Sequence, residues 1–360
     1  MNEAQHQPGN HRPENWDALA EAAGKDLHAR FGHRLLGLPG TWIGSLHATP
    51  TASASRTRPR PWAEWHYWWQ AHYLDAILDE ASHELQAGNR RAARAHWRRA
   101  KQLLRGILLR NFGRFPNYFY DDMAWLLLAS QRLNELSLQL TARPALLATL
   151  AMSALGRQLV RGQDQRLGGG LYWSRKRDFK NTPSNGPAAL YFARIADLRT
   201  AAGLLDWLRR ELYSTQSGLY LDGIRFTADG LLIEDAIYTY NQGTVLGALL
   251  ATGTAANLEQ ADSLINSINH QLSTGEQGLR LESGADGNLF TGILCRYLAL
   301  AANDERLSAA TRRAAASMVR ATASQVADRV EVQLSAAIQR WTILQAAGRV
   351  SLPPGHPDAK

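Results

Sequence analysis

Two aspartates stand next to each other in the segment Tyr118-Phe119-Tyr120-Asp121-Asp122. Carboxyl groups on consecutive residues can lie ~5 Å apart, the separation between nucleophile and acid/base in a retaining glycosidase. An inverting glycosidase needs a wider gap of ~6.5–9.5 Å, which holds a water molecule. Repulsion between the two charges would raise the pKa of one group, so that one carboxyl serves as the acid while the other stays charged.

The same pair has a simpler interpretation, in which both side chains belong to the start of a helix. Asp121 would then accept hydrogen bonds from free backbone amides, and Asp122 would complement the positive end of the helix dipole. Taken alone, the pattern favours this capping role. The catalytic interpretation therefore depends on the residues that accompany the pair.

Aromatic side chains lie close to the pair in the sequence. Tyr118 and Trp125 flank it, and a loop further on supplies Trp173 directly after a glycine-rich stretch. Sugar rings stack on such side chains, while their hydroxyl groups need fixed polar partners. The candidate polar partners are Lys180, Asn181, Asn185, Asp222, Asn241 and Gln242. In contrast, Trp62, Trp65 and Trp69 recur at helical spacing and are expected in the core.

The elements that must position these residues are helices. Apolar residues recur at three- and four-residue steps along most of the chain, and strand-like alternation is confined to short pieces such as residues 219–225. Eleven or twelve helices are expected, which predicts an all-α fold, an (α/α)6 barrel of six helical hairpins. The long connections are expected to gather at one end of the ring, and they are residues 112–120, 162–185 and 214–238.

The chain divides into three parts. Residues 1–60 are expected to form an N-terminal helix and a flexible linker, residues 61–350 the barrel, and residues 351–360 a disordered tail. In the first part, the pattern predicts a helix over residues 14–36, capped by Asn15. Residues 49–61 are rich in Ser, Thr, Ala, Pro and Arg, which is typical of an exposed linker.

Five segments, in chain order, resemble glycoside hydrolase family 76, the α-1,6-mannanases of bacteria and fungi. They are Tyr120-Asp121-Asp122, the stretch GGGLYWS at 168–174, Lys180-Asn181 with Ser184-Asn185, Asp222-Gly223, and TYNQG at 239–243. Trp68-Trp69 and the later stretches FTGI at 290–293 and RYL at 296–298 are similar too. The resemblance covers roughly residues 62 to 302.

This resemblance implies an (α/α)6 barrel and a retaining, endo-acting mannanase that uses two consecutive aspartates. It assigns Asp121 as the nucleophile and Asp122 as the general acid/base. It makes Asp222 a substrate-binding acid, and Tyr240-Asn241-Gln242 falls where the family lines its cleft.

The sequence departs from the family pattern around the expected sugar-binding surface. Leu126 stands where many members have a second tryptophan, and Gly186-Pro187 stands where an acidic residue and a leucine are usual. Tyr238 replaces the tryptophan that normally precedes the threonine at 239. We expect these changes to affect the preferred linkage and chain length of the substrate more than the class of reaction.

Composition limits the other possibilities. Apolar residues make up 45% of the 360, which is globular usage, and no run of 18 residues is free of charged or polar interruption, so a membrane-spanning helix is excluded. The single Cys295 cannot form an internal disulfide, and neither a metal nor a cofactor is required. The first 13 residues lack the apolar stretch of a secretory signal, so a cytoplasmic protein is expected.

The formal net charge is +8, and all but five of the 40 basic residues are arginine. The stretch from Arg90 to Arg114 contains nine basic residues and no acidic residue. Such a face could hold phosphate groups of a nucleic acid, an anionic glycan or a lipid. Because no nucleic-acid-binding motif accompanies it, a solvated helix face is favoured and nucleic acid is not expected as a partner.

The sequence therefore predicts a retaining glycoside hydrolase that acts on α-mannosidic, specifically α-1,6, linkages of an oligosaccharide or mannose-containing glycan. The alternative is a catalytically inactive barrel that binds a mannose-containing or anionic glycan or lipid. A sugar epimerase or an unsaturated-uronyl hydrolase on the same toroid is a third, weaker alternative.

Overall fold

The computed structural model describes residues 15–48 and 65–350. Within them the chain forms twelve α-helices and seven short strands. The helices are α1 Trp16–Arg30, α2 Tyr67–Gln86, α3 Arg90–Arg110, α4 Tyr120–Thr141, α5 Leu146–Arg161, α6 Thr182–Arg194, α7 Leu198–Glu211, α8 Thr239–Thr252, α9 Ala255–Gln271, α10 Phe290–Ala302, α11 Ala309–Val326 and α12 Leu334–Arg349. The strands are β1 Gly32–His33, β2 Ile43–Gly44, β3 Phe179–Asn181, β4 Tyr213–Ser214, β5 Leu219–Tyr220, β6 Gly223–Thr227 and β7 Gly230–Glu234.

The even-numbered helices form a closed inner ring. Each of them contacts the next, from α2 through α4, α6, α8 and α10 to α12, and α12 contacts α2. Protein surrounds these helices on nearly every side, as in α6, where residues 182–193 are all buried. A helix in this position has no solvent-facing stripe, so its polar residues are buried as well.

The odd-numbered helices form the outer layer. α3, α5, α7, α9 and α11 each pack against the inner helix that precedes them, and α1 packs against α12. The predicted (α/α)6 barrel is therefore confirmed, and α1 is the outer helix that completes it. The polypeptide from the N-terminal region thus covers the last inner helix of the chain.

The outer and inner helices differ in how their N-termini are capped. Five outer helices start at a side chain that accepts a backbone N–H bond, and these caps are Asn15, Asn89, Asp197, Thr254 and Ser308. Within residues 65–350, no inner helix starts at such a cap. The six inner N-termini therefore present backbone N–H groups and the positive ends of their dipoles to one end of the barrel.

The three long connections meet at this end, as the sequence predicts. The first pairs with the second, because the Tyr120 N–H donates to the Trp173 carbonyl at 2.7 Å. The second pairs with the third through the antiparallel sheet β3-β6-β7, in which Asn181 is opposite Gly223. The loops therefore form one connected rim above the inner ring.

The N-terminal helix differs from its prediction. Asn15 caps it as expected, but the helix ends at Arg30 and not at residue 36. The chain instead turns into β1, which pairs with β2, and a Cβ atom at Gly32 would overlap the Trp42 ring. Tertiary pairing thus overrides the helical pattern beyond Arg30.

Several predictions fall on residues outside the described ranges. They concern the linker at residues 49–61, helix positions Pro61 and Trp62, and the tail at residues 351–360. The domain boundary at residue 60 stays a prediction for the same reason.

A column of polar side chains runs down the centre of the barrel along one face of α2. Trp68, His72, Asp75 and Asp79 follow one another at steps of four, three and four residues, so they share this face. His72 is 2% exposed, and burial lowers the pKa of its imidazole to about 3, so it is neutral. It lies in the core of the barrel.

Below His72 the column ends in a cluster of buried ions. Asp79, only 1% exposed, forms ion pairs with Arg132 at 2.7 Å, Arg296 at 2.7 Å and Arg349 at 2.9 Å. Burial alone would raise the pKa of Asp79, but the three guanidinium groups hold it well below its usual value. The cluster ties α2 to α4, α10 and α12 across the ring.

Replacing Asp79 tests how much this cluster stabilises the barrel. In Asp79→Asn, Arg349 loses its carboxylate partner while Arg132 and Arg296 keep only Asp75, and we expect the free energy of unfolding to fall by about 3–5 kcal/mol. Urea denaturation followed by circular dichroism measures the change. The matched control is Asp206→Asn, which breaks an exposed pair with Arg209 and should cost less than about 1 kcal/mol. Equal midpoints for the two variants would contradict this account.

Candidate active site

The aspartate pair lies in the first turn of α4, and neighbouring loops hold that turn in place. Phe119 precedes the helix in extended conformation, and the Phe119 N–H donates to the Asn117 Oδ1 at 3.0 Å. The Asn117 Nδ2 in turn donates to the Asp122 Oδ2 at 2.5 Å. Asn117 is therefore a site residue that sequence reasoning missed, although an asparagine shortly before a helix is a common turn signal.

Both oxygens of Asp121 accept hydrogen bonds. The Asp122 N–H donates to Oδ1 at 2.8 Å, and the Trp173 Nε1–H donates to Oδ2 at 2.9 Å. The capping interpretation is thus correct for one oxygen, while the other is held by a side chain from the second long loop. Two donors favour the charged form of Asp121 over the protonated form.

The pKa of each carboxyl group in the pair is raised. For Asp121 the main cause is burial, followed by the nearby charge of Asp122, and the bonds from Trp173 and the backbone oppose the shift. For Asp122, burial raises the pKa to about 7, the charge of Asp286 adds to it, and the bond from Asn117 opposes it. The pair therefore retains a proton near neutral pH, and because Asp121 accepts two N–H bonds and Asp122 one, the hydrogen bonds favour the charge on Asp121.

A third carboxylate lies near the pair. Asp286, in the turn before α10, accepts bonds on Oδ1 from the indole N–H groups of Trp68 at 3.1 Å and Trp69 at 2.8 Å. Its charge acts on both Asp122 and Tyr240. No local sequence pattern indicates that Asp286 meets residues more than 200 positions away.

Aromatic rings form a wall that joins four inner helices. The Tyr240 and Phe290 rings stack with centroids 3.8 Å apart and planes at 12°, and Trp68 lies 6.2 Å from Phe290. Trp125 lies 6.3 Å from Tyr240 but is only 5% exposed, so it backs the wall and does not form its surface. Tyr118 is 50% exposed, at the rim.

Asp222 and two asparagines form a polar group beside this wall. The Asn241 Nδ2 donates to the Asp222 Oδ1 at 3.2 Å, and burial raises the pKa of Asp222 to about 6. The Oδ1 atoms of Asn181 and Asn241 are buried and have no hydrogen-bond partner within the described residues. Buried polar atoms without a partner are uncommon. Asn241 is 0% exposed and Asn181 3%, so these two oxygens lie beneath the surface of the cleft.

Asn185 and Gln242 have a different position from the one predicted. Asn185 is fully buried, and its amide bonds to both backbone groups of Leu171 at 2.7 and 2.8 Å. Gln242 does the same with both backbone groups of Tyr220, at 2.8 and 2.9 Å. These two amides anchor the second and third loops and do not face the cleft.

Lys180 is a loop anchor as well. It is 0% exposed, and its Nζ donates to the Asp164 carboxylate at 2.7 Å and to two backbone carbonyls. A polar residue in a loop next to a site can thus either hold substrate or hold the loop. Sequence alone does not separate the two roles, because both require a polar side chain near the same helix start.

The described residues contain neither a metal-binding cluster nor a membrane-spanning helix. In the ranges 15–48 and 65–350, no three His, Cys, Asp or Glu side chains are grouped to hold a metal ion. Over the same ranges, no helix has the length and apolar character needed to cross a membrane.

Solved structures with the same fold include enzymes. The α-1,6-mannanase GH76A of Salegentibacter sp. HEL1_6 matches with a TM-score of 0.78 and 27% identity, over 92% of this chain and 99% of that chain. An inactive variant of it, with two consecutive aspartates replaced by asparagine and α-1,6-mannotriose bound, matches with a TM-score of 0.78 and 26% identity, over 93% of this chain and 99% of that one. A family 76 glycoside hydrolase from a bovine Bacteroides thetaiotaomicron strain, at 16% identity and a TM-score of 0.71, shares the fold over 94% of this chain and 77% of its own.

A search of curated proteins gave no match. The sequence model of glycosyl hydrolase family 76, in contrast, matches residues 44–348, which include all inner helices and all three long loops. Because the match extends over most of the chain, this protein belongs to glycosyl hydrolase family 76 and is a glycosidase.

Proposed function

We propose that the protein is a retaining α-1,6-mannanase in which Asp121 is the nucleophile and Asp122 the general acid/base. The observation that carries the proposal is the geometry of the pair: Asp121 accepts N–H bonds from the Asp122 amide and the Trp173 indole, Asp122 accepts one from Asn117, and burial raises the pKa of both carboxyl groups. The Salegentibacter enzyme supports it, because variants with two consecutive aspartates replaced are inactive and have α-1,6-mannotriose or α-1,6-mannotetrose bound.

Hydrolysis would proceed in two displacements. In the first, a carboxylate oxygen of Asp121 attacks the anomeric carbon while Asp122 gives its proton to the glycosidic oxygen, and the bond to that oxygen breaks. The product is a covalent mannosyl ester on Asp121. In the second, the charged Asp122 takes a proton from water, the water oxygen attacks the anomeric carbon, and the ester bond to Asp121 breaks, which restores the Asp121 carboxylate and releases the mannosyl product with its original configuration.

The surrounding side chains would hold the sugar for these steps. The stacked rings of Tyr240 and Phe290 offer an apolar surface for the C–H face of a mannose ring. Asp222, which is partly exposed, would bind a hydroxyl group, and the buried amide of Asn241 would hold its carboxylate in place.

The alternative of an inactive glycan-binding barrel is not favoured. A binding site needs hydrogen-bond partners and stacking surfaces, but it has no use for two adjacent carboxyl groups that share one proton. Sequestering such a pair costs free energy, because burial opposes the charge that it carries.

Incubation with α-1,6-mannotetraose tests the proposed reaction. We expect shorter oligomers with the α configuration at the newly formed reducing end, observed by proton NMR before mutarotation scrambles the anomers. Early formation of the β anomer would contradict the retaining mechanism, and no cleavage of this linkage would contradict the proposed substrate.

Replacing either aspartate tests the assigned roles. Asp121→Asn and Asp122→Asn should each lower kcat by orders of magnitude while the folded structure, followed by circular dichroism, stays unchanged. Asp206→Asn, on the exposed face of α7, provides a control that should keep full activity. Wild-type rates in either pair variant would end the proposal.

The pH profile of kcat/KM tests the charges around Asp122. The acid must be protonated, so activity falls as pH rises through its pKa of about 7. Removing the negative charge in Asp286→Asn should lower that pKa and move the alkaline limb to lower pH. Removing the hydrogen bond in Asn117→Ala should raise it and move the limb to higher pH. Shifts in the same direction, or an unmoved limb, would contradict these assignments.

A further inference from the structure

One flank of the toroid combines positive charge with exposed apolar side chains. It consists of the outward faces of α3 and α5, which lie side by side, and we call it the α3–α5 flank. Arg91, Arg94, Arg98 and Arg105 lie on the exposed side of α3. Neither helix contains an aspartate or a glutamate. The flank therefore has an uncompensated positive field.

The apolar part of the flank follows the same helical stripe as its charges. On α5, Leu146 is 73% exposed, Leu150 51% and Val160 59%, and Arg157 lies on the same side. On α3 the stripe continues through Leu109 at 45% to Phe112, in the following turn, at 73%. Water contacts these side chains in the isolated protein, which is unfavourable for so many large apolar groups in one area.

Grooves lie on both sides of α5. The one between α3 and α5 has a volume of about 590 Å³, with Trp97, Leu133 and Leu147 in its apolar lining and Arg98, Arg105 and Arg143 among its basic residues. The other, of about 460 Å³, lies between α5 and α6 and is lined by Met152, Tyr191 and Arg157 among others. Both combine an apolar floor with guanidinium groups.

Other outer helices lack this combination. α1, α7 and α9 carry acidic residues, such as Glu21, Asp206 and Glu259. α11 has three arginines and no acid, but in the described structure it exposes no large apolar side chain. An arginine-rich composition of the whole chain therefore does not explain the α3–α5 flank.

We propose that the α3–α5 flank docks on the surface of a lipid bilayer that contains anionic headgroups. Arginine side chains pair with lipid phosphates, and leucine, valine and phenylalanine side chains enter the region between headgroups and acyl chains. A nucleic acid would satisfy the arginines but would leave the leucines of α5 in water, so the apolar stripe favours the bilayer.

The flank reaches the mouth of the barrel. α3 ends at Arg110, and the loop that follows it leads through Phe112 and Tyr118 directly to Asp121. Docking by this face would hold the aspartate pair close to glycan chains that stand on the same surface. The flank shares no residue with the pair, so docking and hydrolysis can fail independently.

Vesicle sedimentation of the full chain tests the proposal. The probes are vesicles of phosphatidylcholine alone and vesicles of phosphatidylcholine with phosphatidylglycerol in equal parts. We expect binding only to the second kind, and the binding should weaken as salt screens the charges. The charge variant is Arg91→Gln/Arg94→Gln/Arg98→Gln, and its control on other faces is Arg199→Gln/Arg313→Gln/Arg329→Gln.

The charge variant should lose about 100-fold in vesicle affinity, since each of its three basic residues near an anionic surface contributes a factor of about five. The control should bind nearly as the wild type does. Leu146→Ser/Leu150→Ser should also weaken binding, by about tenfold or more. All variants should cleave a soluble mannan oligomer at the wild-type rate.

Three outcomes would overturn the proposal. One is no binding to anionic vesicles, and another is an equal loss in the charge variant and its control. The third is unchanged vesicle binding in Leu146→Ser/Leu150→Ser together with equally tight binding to duplex DNA, which would show a general attraction to polyanions. Loss of hydrolysis alone would concern the proposed function and not the docking surface.

Discussion

Two carboxyl groups on consecutive residues cannot both carry a full charge in a half-buried position without a large cost in free energy. The site depends on this constraint. One proton must remain on the pair, and the neighbours decide which group holds it. The Asp122 amide and the Trp173 indole donate to Asp121, whereas Asp286 adds a negative charge near Asp122. In the proposed mechanism, this difference lets one group act as the nucleophile and the other as the acid at the same pH.

The barrel brings distant segments of the chain to the start of α4, and these segments create the difference between the two carboxyl groups. Trp173 and Asn117 come from two different loops, and Asp286 comes from the turn before α10. The buried amides of Asn185 and Gln242 fix the second and third long loops to the inner helices. Below the site, the ion cluster around Asp79 crosses the ring between four inner helices. The ion cluster thus stabilises the part of the barrel that lies below the site.

The fold and the centre of the site could be predicted from the sequence because their signals are local or ordered along the chain. Helical periodicity predicted the ring of helices, and Asp121 and Asp122 were recognisable as candidates because they are consecutive. Helix boundaries were harder to predict where tertiary contacts determine them. One example is the end of α6 at Arg194, which is followed by a turn in which Ala196 has a φ of 62°.

The roles of single polar residues were the least predictable part. Asn185 and Asn241 look alike in sequence, yet one amide is used entirely by backbone groups while the other leaves an oxygen without a partner. Asp286 is more than 160 positions from the pair and joins it only through the closed ring. Such roles depend on which groups meet in space, and a single sequence carries no record of that.

The measurement that tests the shared proton most directly is a carbon-13 NMR titration of the protein labelled at its aspartate carboxyl carbons. Spectra of Asp121→Asn and Asp122→Asn would assign the two resonances. The account predicts that the pair keeps one proton through mildly acidic pH and releases it with an apparent pKa near 7. Ionisation of both groups in the range of an ordinary exposed aspartate, about 4, would contradict it.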